Sequence, residues 1–186
     1  MDDYPKEATV VMRTAILALL LSPVMANAQP DPQPEDVANI DAIVAATYAA
    51  ISHAPGEYFQ WDRWRSLFLP GALLVPNEEQ TGGELRPMTV DDFVTWVDEW
   101  YAENAPAGGQ DDKGFEEAQI HSTVQRYGDI AHVMSTYARR YWGGEETLGR
   151  GINSIQLVHR DGRWWIAGVV WDEEDGAGPI PAEYLP

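Results

Sequence analysis

Along the first third of the chain, apolar positions recur at helical spacing. Val37, Ile40, Val44, Thr47, Tyr48 and Ile51 share one face of a 3.6-residue period. Pro34 suits a first helical position, and Glu35 and Asp36 suit the positive end of a helix dipole, so one amphipathic helix is expected from Pro34 to just before Pro55-Gly56. A shorter helix is expected around Trp61 to Leu69. It would carry Trp61, Trp64, Leu67 and Phe68 and stop at Pro70-Gly71. Ala72 to Val75 reads as a short buried strand. Thr89 and Asp92 have the spacing of a capping box, and Phe93, Trp96, Val97 and Trp100 make the apolar face of a third helix that runs to about Asn104.

Further on, β-branched and aromatic residues dominate, and strands are expected at Ile120 to Tyr127, Ile130 to Trp142, Ile152 to His159 and Trp164 to Trp171. Gly128 and Gly162 sit where tight hairpin turns need positive backbone angles, which gives two antiparallel hairpins. Helices first and a meander second make one α+β domain, with one face of a curled sheet covering the helices. If Asp161 and Gly162 alone form their turn, Arg160 faces Arg163 and Ser154 faces Val169. Ser154, Gln156, Val158, Trp165, Ala167, Val169 and Trp171 then share a face. Around Gly128, Ile120, Ser122, Val124, Ala131, Val133, Ser135 and Tyr137 share the more apolar face, which is assigned to the interior. Glu117, His121, Gln125, His132 and Arg140 share the other. A register slip of one residue would exchange these two sets, turning His121 and His132 inward.

The order helix, helix, short strand, helix, meander resembles the nuclear transport factor 2-like superfamily, which includes ketosteroid isomerases, scytalone dehydratases and SnoaL-like polyketide cyclases. The resemblance spans roughly Glu35 to Glu174. It is carried by LFLPGALLVP (Leu67 to Pro76), GDIAHVMSTY (Gly128 to Tyr137) and GRGINSIQLVHRDGRWWIAGVVWDEE (Gly149 to Glu174). It implies three N-terminal helices packed in a strongly curved antiparallel sheet, a cystatin-like cone with an apolar pocket, and a homodimer through the convex sheet face. Fold alone does not set function.

Ketosteroid isomerase chemistry needs an aspartate base, and a tyrosine with a protonated aspartate to hold an enolate oxygen. The resemblance matches Tyr48 to the tyrosine, but it puts Pro76 at the base position and Ser154 at the protonated-acid position. The activity of that enzyme is therefore not expected. Tyr48 and Ser154 should border one apolar hollow, and Tyr48, Ser135, Tyr137, Ser154, Gln156, Trp165 and Trp171 are the candidate ligand-binding residues. Tyr48 and His121 are the candidates for catalysis, because a scytalone dehydratase mechanism asks for a pocket histidine. Two functions compete: a module that binds a small hydrophobic ligand, favoured because no interior carboxylate can be placed, and a SnoaL-like lyase or isomerase acting on a small carbonyl compound. A structural homodimer is a third.

Composition narrows the partners. Twelve Lys and Arg against 30 Asp and Glu give a formal charge of −18 over 186 residues, which disfavours nucleic acid and anionic lipid surfaces. With no Cys there is no thiol nucleophile or thiolate metal site. His53, His121, His132 and His159 lack metal-ligand spacing, so no metal and no cofactor is expected. Asp172, Glu173, Glu174 and Asp175 read as a solvated charge run, and Arg139, Arg140 and Arg150 as partners for carboxylates rather than as an anion site. Trp61, Trp64, Trp96 and Trp100 read as core. Thr14 to Met25 is an apolar stretch too short to span a membrane, followed by the cleavage pattern Ala26-Asn27-Ala28. Residues 1–28 are thus expected to be a signal peptide, translation starting at Met12, whose Arg13 supplies the positive charge that a signal wants. Residues 29–33 would form a tether, 34–176 the domain and 177–186 a C-terminal tail, in a secreted or periplasmic protein without a membrane span once mature.

Overall fold

The computed structural model describes residues 30–104 and 113–186. The expected signal peptide and cleavage point lie outside the described residues. Helix α1 (Ile40–Ile51) starts later than its periodicity suggests, because Asn39 takes an extended backbone and its side-chain oxygen accepts from the Ala42 amide at 2.9 Å. The residues before it form a separate 3-10 turn, Pro34–Val37. Helix α2 (Trp61–Ser66) is short, and strand β1 (Phe68–Val75) follows at once. Pro70 and Gly71 therefore lie inside a strand, where pairing with a neighbour skips from Phe68 to Leu73. A short helix α3 (Glu78–Thr81) and strand β2 (Met88–Thr89) were not expected. Helix α4 (Val90–Asn104) carries the foreseen capping box: the Asp92 amide donates to Thr89 Oγ1 at 3.2 Å, and the Thr89 amide and hydroxyl donate to Asp92 Oδ2 at 3.2 and 2.7 Å.

Strands β3 (Glu116–Tyr127), β4 (Ile130–Arg140), β5 (Gly149–Arg160) and β6 (Arg163–Glu173) form the antiparallel meander, joined into one curved sheet of order β2-β1-β6-β5-β4-β3. Strand β1 runs parallel to β6, so the sheet is mixed rather than wholly antiparallel. The turn at Asp161-Gly162 has both residues at positive φ, 54° and 78°, which matches the right-handed strand twist. Between the helices and the concave face lies a core of Ile43, Leu67, Phe68, Val94, Val133, Ile155 and Ile166.

Two β-bulges decide which side chains reach that concave face. In β3 the ladder passes from His121 opposite Thr136 to Gln119 opposite Tyr137, leaving Ile120 as an extra residue. Glu117 thereby stands opposite Arg139, a place that Ala118 would hold in a regular ladder. In β6 the ladder passes from Ile166 opposite Leu157 to Gly168 opposite Gln156, and Ala167 is the extra residue. Val169 then faces Ile155 instead of Ser154, and Trp171 faces Asn153. The expected faces hold on β4 and fail in β3 beyond its bulge; on β5 and the turn side of β6 the expected inner set, Ser154, Gln156, Val158 and Trp165, is the outer one, and the β6 bulge brings Val169 and Trp171 inward.

The last residues are not a loose tail. After α5 (Glu174–Ala177) the chain turns back, Ile180 is buried, and the carbonyl of Tyr184, in a second 3-10 turn (Ala182–Tyr184), accepts from Thr136 Oγ1 at 2.7 Å. Thr136 alternates with the inward Ser135 and Tyr137, so this segment covers part of the outer sheet face. No helix among the described residues is long and apolar enough to cross a membrane.

Candidate functional site

Between α1, α2, α4 and the concave sheet lies a cavity of about 710 Å³. Aromatic rings make up much of its wall: Phe59, Trp61, Trp64, Phe93, Trp96, Trp100 and Tyr101 come from the helical side, Tyr137 and Trp171 from the sheet, and Phe115 and Tyr141 from the ends of β3 and β4. Trp100 and Tyr141 are exposed, as is Lys113, and these residues mark the opening. The tryptophans that read as core thus line a hollow. The rings brace one another, with Trp64 stacked on Phe93 at 5.3 Å between centroids and Phe93 edge-on to Trp171 at 5.6 Å. At the rim, Asp98 accepts from Tyr58 Oη at 2.7 Å and from Trp61 Nε1 at 2.8 Å.

A polar cluster occupies the sheet side of this apolar space. Asn153 Nδ2 donates to Tyr48 Oη at 3.1 Å. Tyr48 donates to Ser135 Oγ at 2.7 Å, and Ser135 donates to Gln119 Oε1 at 3.0 Å. The direction is fixed from its far end, because Gln119 Oε1 can only accept. Asn153 also hydrogen-bonds the Glu117 carboxyl. The relay therefore holds Glu117 in place while consuming the Tyr48 and Ser135 protons internally.

Glu117 is the unusual member. Part of the side chain touches solvent, but its carboxyl is enclosed, and burial pushes its pKa up from 4.5 to about 8. Arg139 and the Asn153 hydrogen bond oppose that rise, and the nearby Glu173 adds to it. Arg139 is already committed elsewhere: its Nη2 lies 2.6 Å from Glu173 Oε2. Glu173 also accepts from Gln80 Nε2 at 2.8 Å and from Tyr137 Oη at 3.3 Å. Gln80 in turn accepts from Trp171 Nε1 at 2.9 Å, tying cavity wall to ion pair. Burial also raises the Glu173 carboxyl and the Tyr48 and Tyr137 phenols above their ordinary values. The Tyr137 ring fits because residue 151 is glycine. A Cβ there would meet Tyr137 Oη and the Asp172 carbonyl, each at 2.5 Å.

Of the residues singled out in the sequence, Tyr48, Tyr137 and Trp171 line the cavity, and Ser135 lies just behind Tyr48. Ser154, Gln156 and Trp165 do not reach it. Trp165 stands opposite Val158, as the two-residue turn requires, and shares the outer face with Ser154 and Gln156, while Asn153 takes the place beside Tyr48 that Ser154 was expected to hold. His121, opposite Thr136, is likewise on the outer face, as is His132, whose Nε2 lies 2.9 Å from Ser154 Oγ. Glu117 was assigned to the outer face and Glu173 to a solvated run, yet both border the hollow. Arg139, Arg140 and Arg150 pair with Glu173, Glu116 and Glu174. Among the described residues no group of His, Cys, Asp and Glu is arranged to hold a metal ion.

No family profile matches the chain, and no curated protein sequence matches it. Solved structures do. A protein with a cystatin-like fold from Nostoc punctiforme is 12% identical, with 77% of this chain and 89% of that one covered and a TM-score of 0.51. A protein of unknown function from Mycobacterium tuberculosis is 16% identical, with 72% and 68% covered and a TM-score of 0.50. An NTF-2 like protein of unknown function from Silicibacter pomeroyi is 22% identical, with 72% and 91% covered and a TM-score of 0.45. At these identities the likeness is one of fold: the architecture is α+β and cystatin-like.

Proposed function

We propose that this nuclear transport factor 2-like chain binds a small, mainly hydrophobic molecule in its aromatic cavity, with the ligand's polar group against Glu117. One observation carries the reading: of the two carboxyls that border a 710 Å³ apolar hollow, Glu173 is paired with Arg139 and Glu117 is oriented by a four-residue relay with no base of its own. The volume suits a ligand of one or two rings, with the aromatic rings of the helical side supplying burial and the polar cluster confined to the sheet side. Differential scanning fluorimetry against a panel of small aromatic compounds tests it. Ligands in excess of their Kd should raise the melting temperature of the native chain, and Trp96→Ala together with Trp171→Ala should remove the shift. A panel that leaves the melting temperature unchanged refutes the proposal.

A second reading, a lyase or isomerase acting on a small carbonyl compound, gains support from Glu117. A carboxyl that titrates near 8 is protonated at neutral pH, and it can donate to a carbonyl oxygen or exchange a proton with substrate. This is the acid that the Ser154 position could not supply. Enolisable ketones with a detectable solvent-deuterium exchange would distinguish turnover from binding, and exchange that persists in Glu117→Gln would exclude Glu117 as its agent. Export to the periplasm or medium is supported by the Thr14 to Met25 stretch, and N-terminal sequencing of the mature protein tests it. Self-association through the outer sheet face is supported by the exposed Leu73 and Val170. Light scattering on the purified chain decides that.

A further inference from the structure

The polar wall of the cavity carries more negative than positive partners at close range. Glu173 and Arg139 satisfy each other at 2.6 Å, whereas Glu117 has a coulombic neighbour in Arg139 but no base of its own. The other cation of the lining, Lys113, is at the opening, with Nζ 4.3 Å from the centroid of the Tyr141 ring. The wall therefore already seats one ammonium against an aromatic ring. Asp98 sits at the rim, Glu99 and Glu103 flank Trp100 on α4, and the whole chain carries a formal charge of −18. An anion approaching this opening is repelled and a cation is drawn in.

We propose that the cavity selects an organic cation, a compact hydrophobic amine or quaternary ammonium whose charge pairs with the Glu117 carboxylate beside Phe115, Tyr137 and Tyr141. The inference rests on the ligand-binding reading above and names its ligand class. Aromatic rings bind ammonium groups through their negative faces, and a desolvated carboxylate completes such a site. In the empty cavity Glu117 holds its proton up to about pH 8, because burial disfavours the charged form. An entering cation supplies the missing counter-charge and releases that proton to solvent. The groups that face Glu117 are Tyr48 of α1, Tyr137 and Arg139 of β4, and Glu173 of β6. Both tyrosines stay protonated and Glu173 has Arg139 at 2.6 Å, so Glu117 is the carboxyl left for the cation to pair with.

Isothermal titration calorimetry with benzyltrimethylammonium, its uncharged carbon isostere neopentylbenzene, and 4-phenylbutan-2-one tests the proposal on the full chain. The quaternary probe has no titratable group, so any pH dependence belongs to the protein. Its affinity should be highest above pH 8 and should fall about tenfold for each pH unit below it, as the proton competes. At pH 9 it should bind at least about tenfold more tightly than neopentylbenzene. Glu117→Gln should abolish both the pH dependence and the preference, while neopentylbenzene, bound as before, reports that the cavity is intact. Neopentylbenzene binding with no preference for the cation overturns the cation inference and leaves the cavity reading standing. Binding of 4-phenylbutan-2-one below pH 8 that is tighter than binding of benzyltrimethylammonium at any pH also overturns it, in favour of a neutral acid receiving a carbonyl. Binding of none of the probes overturns the cavity reading itself.

Discussion

Burial holds the Glu117 proton up to about pH 8, whereas an unperturbed glutamate loses it near 4.5. Between those values the folded chain keeps a proton that the unfolded chain has released. The stability tied to this group is complete below about pH 4.5, declines as pH rises, and levels off above 8, with a slope on the order of 1 kcal/mol per pH unit. Glu173, also raised by burial, acts in the same direction. Glu117→Gln should flatten the decline, and urea unfolding of both proteins at pH 5 and pH 8 measures it; equal slopes would show that Glu117 is not enclosed in solution. Tyr48 matters differently, since its hydroxyl is a link between Asn153 and the fully buried Ser135. Tyr48→Phe leaves both without that partner and should cost about 1–3 kcal/mol in denaturant unfolding, because buried polar groups lose their water on folding and regain nothing. A cost near zero would mean that the relay is not made.

Helix α4 carries Phe93, Trp96 and Trp100 into the cavity wall, and its start is fixed by the Thr89 and Asp92 exchange. Thr89→Ala removes one half of that exchange and should destabilise the chain by about 1 kcal/mol, read as a shift of the urea midpoint. That capping box was legible because it is local: two residue types at a fixed spacing. The same holds for the two hairpin turns, where Gly128 and Gly162 meet a backbone demand that few residues meet. On β4, alternation without interruption put Ser135 and Tyr137 on the inner face. The bulges were not legible. Ile120 and Ala167 look like ordinary strand residues, and what makes them extra is the pairing across the sheet, which no local pattern encodes. The β3 bulge is why Glu117 was passed over; Asn153 was missed, and Ser154, Gln156 and Trp165 chosen, because nothing local says which face of β5 turns inward, and His121 was chosen for its chemistry alone. The break before α1 was readable in principle, since Asn39 is a favoured cap, but the apolar period ran through it.

At the scale of the whole molecule, the residues after α5 seal the outer sheet surface over Thr136 while the helices close the inner one. A chain ending at Ala177 loses the buried Ile180 and leaves Thr136 Oγ1 without its acceptor. It should unfold with a stability lower by at least about 2 kcal/mol, measured by the same urea titration. An unchanged stability would return those residues to the status of an appendage. The extra residue in β3 has a longer reach than any of these contacts. Drawn into the ladder instead of bulging out of it, Ile120 would shift the strand beyond it by one place and set Ala118 where Glu117 stands. A slip of one rung, with no change of sequence, thus separates a methyl from an acid in the hollow.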